Sequence, residues 1–252
     1  MTNRKILVTG SSRGIGRAIA EAFAAAGDQV AVHHRDNATL AARVAAGLPG
    51  DGHVVVQADI ADADAVLGMV DAAAAQLGGL NVLVNNAASY GRPAAPVTEV
   101  GYEQWQQVWR DTIGLNLIGA ANVTWCAVRH MIAGGGGRIV NVSSRGAFRG
   151  EPGQPAYGAS KAGLNALGQS LAVALAPHNI TVAAVAPGFV QTDMAAPHLD
   201  GESGAAIRAQ SPFGRVARPE EIAAAVLFLA SPEAAWASGA ILDLNGASYL
   251  RT

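Results

Sequence analysis

Tyr157 and Lys161, in the stretch Ala-Tyr-Gly-Ala-Ser-Lys, stand four residues apart where a helix can open. On a helix that spacing sets both side chains on one face, within reach of one bound molecule. A phenol titrates near pH ~10 and carries protons poorly at neutrality. A neighbouring ammonium favours the phenolate and moves it toward a usable value, which is the chemistry of a general acid or base. Many surface helices place Tyr and Lys this way, so the pair gains meaning only from what the rest of the chain brings to it.

A glycine-rich turn near the N-terminus does so: Thr9-Gly10-Ser11-Ser12-Arg13-Gly14-Ile15-Gly16. It follows the apolar run Ile6-Leu7-Val8 and leads into the alanine-rich segment 17–26, giving strand, turn and helix in order. Gly10 can take backbone angles closed to other residues, while Gly14 and Gly16 allow close approach of a ligand and of the strand. The first-turn amides of the helix, at its positive end, favour a phosphate.

The elements that must position these motifs alternate along the chain. Strands are predicted over 5–9, 29–34, 53–57, 80–85, 138–143, 181–186 and 241–244, and helices over 15–26, 37–46, 62–77, 99–133, 156–177 and 219–230. Four glycines, 134–137, stop the longest helix before the fifth strand. Val/Ile-rich strands between Ala-rich helices predict an α/β fold: one doubly wound Rossmann-type domain spanning 1–252, with a predominantly parallel seven-stranded sheet and helices on both faces. Right-handed crossovers then set the glycine turn at the carboxyl edge of the central strand, where such sheets bind ligands. The irregular stretch 189–218, rich in Pro, Gly and Ser, is expected to form a lid over that edge.

Composition narrows the function classes. Charged residues make up only 14% of the chain, against ~25% typically, so some surface is expected to be buried between subunits. A net charge of −2 without a basic block gives no sign of nucleic acid or an anionic membrane. No apolar run reaches ~18 residues, and a soluble cytoplasmic protein is the expectation. Cys126, the one cysteine, reads as a buried thiol, and the six histidines show no zinc-ligand spacing, so no metal is expected. His33 and His34, adjacent at a strand end, read as coincidence.

Taken together, the chain resembles the short-chain dehydrogenase/reductase family, in its branch of about 250 residues, over essentially its whole length. The resemblance rests on the glycine turn, on Asn85-Asn86-Ala87 after the fourth strand, and on Tyr157-Gly-Ala-Ser-Lys161. Asp59-Ile60, Asn116, Pro187-Gly188 and Thr192 fall at matching places. It implies that Tyr157 exchanges a proton with the substrate oxygen while hydride moves to or from a nicotinamide. Lys161 would hold the nicotinamide ribose and, with the positive ring, lower the tyrosine's pKa. Of Ser143 and Ser144, the resemblance selects Ser144, thirteen residues before Tyr157, to bond the substrate oxygen. Asn116 would complete a tetrad by holding a water that links Lys161 to solvent. The implied cofactor contacts are Gly10, Ser12, Arg13, Gly14, Ile15, Gly16, Arg35, Asp59, Ile60, Asn86, Ala87, Tyr157, Lys161, Pro187, Gly188, Val190 and Thr192. Ala88 stands where the family usually has glycine, and the stretch 93–109 is about one helical turn longer than in many relatives.

Two rules disagree on the cofactor. Asp36 lies 20 positions beyond Gly16, where an acid binds the ribose hydroxyls of NAD. In the resembling family the deciding acid sits at the strand tip, here His34, followed by Arg35. Arg13 and Arg35 could then flank a 2′-phosphate with charge-assisted contacts, which favours NADP, with NAD as the alternative. The expected partner is a small carbonyl or secondary alcohol. The motif Ala-Pro-Gly-Phe-Val-Gln-Thr-Asp-Met echoes 3-oxoacyl-carrier-protein reductases, which makes a 3-oxoacyl thioester the alternative substrate class. A different class altogether, a non-catalytic NADP(H)-binding sensor or scaffold, is opposed by the presence of Ser144, Tyr157, Lys161 and Asn116 together. The resemblance further implies a homotetramer.

Overall fold

The computed structural model describes residues 3–90, 94–201 and 203–251, with the backbone alone at Pro197 and His198. Pro93 and Glu202, touched by the readings above, lie outside the described residues. The strands are β1 (Lys5–Val8), β2 (Gln29–His34), β3 (Val54–Gln57), β4 (Val82–Asn85), β5 (Gly137–Val142), β6 (Ile180–Pro187) and β7 (Ile241–Leu244). They form one sheet in the order β3-β2-β1-β4-β5-β6-β7, and every pairing is parallel.

Side chains alternate across the sheet, as a period of two requires. Ile6, Val8, Val82, Val84, Val140 and Val185 enter one core; Leu7, Leu83, Ile139 and Val182 enter the other. Both faces are covered, which is why the strands read as continuous apolar runs. Helices α1 (Gly14–Ala25) and α9 (Pro219–Leu229) pack together on the first face. On the second lie α3 (Ala63–Leu77), α5 (Ala120–Ala133) and α6 (Pro155–Leu175), while α2 (Ala38–Gly47) flanks β2 and β3.

The single helix expected over 99–133 is instead two helices joined by a wide turn. α4 (Tyr102–Ile113) runs into a π turn at Gly114–Gly119, from which α5 continues. Such turns insert one extra residue and often mark functional positions. The close packing there is of backbone on backbone: a Cβ on Gly119 would sit 2.5 Å from the Ile60 carbonyl oxygen. Within 189–218 the chain forms α7 (Ala196–Leu199) and α8 (Gly204–Ala209), and the base of this excursion is pinned by a parallel bridge between Val190 and Ala217. Among the described residues no helix is long and apolar enough to cross a membrane, and no group of His, Cys, Asp or Glu could hold a metal ion.

Candidate active site

The strand order reverses between β1 and β4, and the glycine turn and Asn85–Ala88 lie side by side at that switch point. Gly10 and Gly14 both take left-handed angles, φ +65° and +56°, and a Cβ on Gly16 would lie 2.3 Å from the Gly10 carbonyl oxygen. Thr9 Oγ1 accepts the backbone N–H groups of Asn86 and Ala87, both at 3.0 Å, and Asn86 Nδ2 donates to Thr9 O at 2.9 Å and Gly10 O at 3.2 Å. The N-terminus of α1 has no side-chain cap. By contrast, Asn37 caps α2 and Asp62 caps α3. An uncapped first turn behind two left-handed glycines leaves donors free for a phosphate.

His33, set aside as coincidence from the sequence, holds this turn. Its Nδ1 accepts the Gly10 N–H at 2.8 Å, and its Nε2 lies 3.1 Å from the Ala58 carbonyl. Ser11 Oγ accepts the His33 N–H at 2.9 Å and donates to Val8 O at 2.8 Å. Burial holds His33 down at about 4, so the ring is neutral and can accept at Nδ1. The available signal was its place in β2, on the same face as Ala31, where a polar residue needs a partner.

A second chain of contacts runs from the β4 loop to α6. Asn116, inside the π turn, accepts the Ser89 N–H at 2.8 Å and donates to Ser89 O at 2.9 Å and to Ser160 Oγ at 3.1 Å. Ser160 Oγ in turn donates to the Tyr157 carbonyl at 2.7 Å. The side-chain amide of Asn116 thus clamps the β4 loop to α6.

Tyr157 and Lys161 share one face of α6. The Ser144 hydroxyl lies beside the phenol, and its Oγ accepts the Gly146 N–H at 3.0 Å. Burial pushes the phenol up to about 12, with the Ser144 hydroxyl opposing and Tyr90 and Glu151 adding to the rise. Tyr90 lies against it, ring centroids 4.8 Å apart. Lys161 Nζ donates to the Val142 carbonyl at 2.8 Å, 5.7 Å from the Tyr157 ring centroid, and burial lowers it to about 8. Burial is the largest influence on the phenol, and Lys161 is not among the groups that shift it. Ser143 lies apart from this pair, its hydroxyl donating to Lys161 O at 3.4 Å.

At the far end of the switch point, Arg13 and Arg35 are both exposed. Arg35 is not free: its Nε bonds Asp36 Oδ2 at 2.6 Å, so the rival acid of the cofactor question is the partner of the rival base. His34 is buried, and its Nδ1 has no protein partner. His34 ends β2 immediately before Arg35, so the orphaned nitrogen leaves room for a donor at that strand tip. Asp59 Oδ1 accepts the Ala61 N–H at 3.0 Å. Ile60 and Val190 point their side chains into the two cores, so only their backbone can face a ligand; the sequence reading did not separate the two. Pro187 ends β6, Gly188 N–H bonds the Leu244 carbonyl at 3.2 Å, and a Cβ on Gly14 would lie 3.4 Å from the Thr192 methyl. Ser12 and Ile15 lie in the glycine turn and the first turn of α1, partly buried.

Comparison with known proteins adds to this geometry. A family model described as enoyl-(acyl carrier protein) reductase matches residues 10–246. A cis-4-hydroxycyclohexanecarboxylate dehydrogenase of Sinomonas cyclohexanicum is 42% identical over 245 residues, covering 96% of this chain and 95% of its own. A 3-oxoacyl-[acyl-carrier-protein] reductase FabG of Staphylococcus aureus is 38% identical over 249 residues, with 98% of each chain covered. The crystal structure of a short chain dehydrogenase from Burkholderia cenocepacia J2315 in complex with NADP superposes with a TM-score of 0.88 at 36% identity, covering 98% of each chain.

Proposed function

Since the chain belongs to the short-chain dehydrogenase/reductase family, we propose that it interconverts a carbonyl and a secondary alcohol with NADP(H), using Tyr157 as general acid and base. The observation that carries this is the Tyr157 phenol beside Ser144, with Lys161 Nζ 5.7 Å from its ring one helical turn on, at the edge that bears the uncapped α1. The glycine turn, Arg13 and Arg35 would hold the dinucleotide, whose nicotinamide supplies or takes up the hydride. Ser144 donates to the substrate oxygen, and Tyr157 delivers the proton to that oxygen in reduction or removes it in oxidation. Lys161, anchored on Val142, presents its positive charge beside them. Asn116 is a positioning residue that fixes the β4 loop against the catalytic helix.

The relatives named above divide between a hydroxycyclohexane acid and 3-oxoacyl thioesters on a carrier protein. An acidic carrier needs basic docking residues near the cleft. Residues 162–175 contain no Lys or Arg, and the Arg129 guanidinium stands over the Trp125 ring at 5.1 Å. These observations favour a small free substrate. We also propose a homotetramer, supported by exposed apolar side chains on α5, α6 and the C-terminal part: Trp125, Val173, Phe228 and Trp236. Light scattering at micromolar concentration checks it, and a monomeric mass refutes it. The function itself is tested by NADPH oxidation over a carbonyl panel. Turnover that disappears in Tyr157→Phe supports the enzyme; NADPH binding without turnover of any substrate in either direction leaves a sensor.

A further inference from the structure

We propose that Tyr90 is a positioning residue for the reaction: held by Asn116 through Ser89, its ring covers the Tyr157 phenol and keeps bulk water away from it. This rests on the oxidoreductase reading above and concerns the same site. Tyr90 lies in the loop after β4, and its ring meets that of Tyr157 at a centroid distance of 4.8 Å and a tilt of 58°. Tilted aromatic pairs are favourable at about 4.5–7 Å, and each ring takes water off part of the other.

The loop is fixed at the residue just before Tyr90. Asn116 Oδ1 accepts the Ser89 N–H at 2.8 Å and its Nδ2 donates to Ser89 O at 2.9 Å, so one side-chain amide holds both backbone groups of Ser89. The same Nδ2 donates to Ser160 Oγ at 3.1 Å, and Ser160 Oγ donates to the Tyr157 carbonyl at 2.7 Å. Asn116 is 1% exposed, so displacing it would leave buried polar groups unpaired. The two tyrosines thus take their separation from a single amide, one beside Ser89 and the other reached through Ser160.

A cover of this kind acts on proton affinity. Burial is the largest influence on the phenol, which stands at about 12, and Tyr90 and Glu151 add to the rise while Ser144 opposes it. A phenol returned to water moves back toward ~10. The electrostatic part of the Tyr90 effect needs its hydroxyl, whereas the cover needs only its ring. The other charged groups around the phenol are Lys161 on α6 itself, with Nζ 5.7 Å from the ring centroid, and Glu151 and Arg145 before α6. α4 meets Ala156 of α6 through Val108 and Trp109, and its Tyr102, Glu103, Arg110 and Asp111 are exposed. Neither the turn 114–119 nor β6 carries a charged side chain, and Arg138 stands at the opposite end of β5. A covered phenol stays protonated through neutrality, the form that donates to a carbonyl oxygen, so Tyr90 sets the pH at which alcohol oxidation becomes available.

The test is the pH profile of kcat for oxidation of cyclohexanol by NADP, from about pH 5 to about pH 11, in the unmodified protein, Tyr90→Ala and Tyr90→Phe. The rate rises with the phenolate fraction and levels off above the pKa of the phenol in the bound complex. Tyr90→Ala is expected to level off about one pH unit lower, because water reaches the phenol. Tyr90→Phe keeps the ring and is expected to level off with the unmodified protein. Coincident profiles for Tyr90→Ala and the unmodified protein would overturn the proposal, as would a shift in Tyr90→Phe as large as that in Tyr90→Ala. Where turnover is too slow to follow, the Tyr157 part of the tyrosinate absorbance, taken by difference from the same protein carrying Tyr157→Phe, decides. Ionisation at lower pH in Tyr90→Ala supports the cover, and ionisation at the same pH removes it. Tyr157→Phe alone keeps the two readings apart: full activity there removes Tyr157 as acid and base, whereas coincident Tyr90 profiles remove only the role of Tyr90.

Discussion

His33 and Gly10 are joined side chain to backbone: the imidazole Nδ1 accepts the glycine N–H at 2.8 Å while Nε2 faces the Ala58 carbonyl at 3.1 Å. One neutral ring therefore ties together the glycine turn, β2 and the segment after β3. The bond requires Nδ1 unprotonated, and burial keeps it so by holding the pKa at about 4 instead of 6.5.

The sign of the pH effect follows. Between pH 4 and 6.5 the unfolded chain binds the proton that folded His33 refuses, so stability is present in full above 6.5 and is lost as pH falls toward 4. The full difference is about 3 kcal/mol at ~1.4 kcal/mol per pH unit. Urea titrations across this range should show that acid loss in the unmodified protein. His33→Phe should be destabilised throughout, by about 1–3 kcal/mol for each group left unpaired, and should lack the His33 component of the slope. An unchanged slope would mean that His33 does not titrate this way.

Removing the phenol hydroxyl should stop chemistry and spare the cofactor. Tyr157→Phe is expected to lose at least ~10²-fold in turnover, the low end of general acid–base contributions, with NADPH affinity nearly unchanged by fluorescence titration. Lys161→Ala should harm both. Full activity in Tyr157→Phe would remove the proposed mechanism.

The direction of the reaction should decide its pH profile. The phenol, pushed up to about 12 by burial, is protonated at neutrality. Carbonyl reduction, which uses that form, should be level between pH 6 and 8. Alcohol oxidation uses the phenolate, whose fraction rises about tenfold per pH unit below the pKa, so oxidation should climb from pH 7 to 9. Lys161, lowered to about 8, loses its charge in the same window, and cofactor binding should weaken there. An oxidation rate level from pH 7 to 9 would show that the bound complex holds the phenol well below neutrality.

Cofactor choice should respond to Asp36 as well as to the arginines. The Arg35–Asp36 pair is exposed on both sides, so it is weak and a 2′-phosphate can displace it. Asp36→Asn should strengthen the preference for NADPH over NADH. Arg13→Ala with Arg35→Ala should reduce it about tenfold or more. Tighter NADH binding by the unmodified protein would mean that Asp36 serves the ribose and the arginines are bystanders.

Much of this architecture is legible from the residues because local signals agree. Val/Ile runs bounded by glycine and asparagine mark the strands, and their apolar continuity announces a sheet covered on both faces. Other features leave no such trace. Gly114-Leu-Asn-Leu-Ile-Gly119 keeps apolar residues at near-helical spacing, so an extra residue in the turn is invisible in composition. Nothing local marks Arg145 as buried, because its cover comes from Gln210 and Ser248, 65 and 103 positions away. Ile60 and Val190 sit in segments expected to face the cofactor, yet which way each side chain turns depends on packing against distant elements.

The wide turn at Gly114–Gly119 has a rotational consequence. Each residue advances an α-helix by about 100°, so the extra one resets the phase between α4, which packs on α6, and α5, which packs on α3. Deleting a single residue there would straighten the helix and improve its local hydrogen bonding. It would also swing one half about a quarter turn, carrying Thr124 away from Asn85, which it meets at 2.8 Å, or Asn116 away from Ser89. A shorter, more regular helix would then be the less functional one.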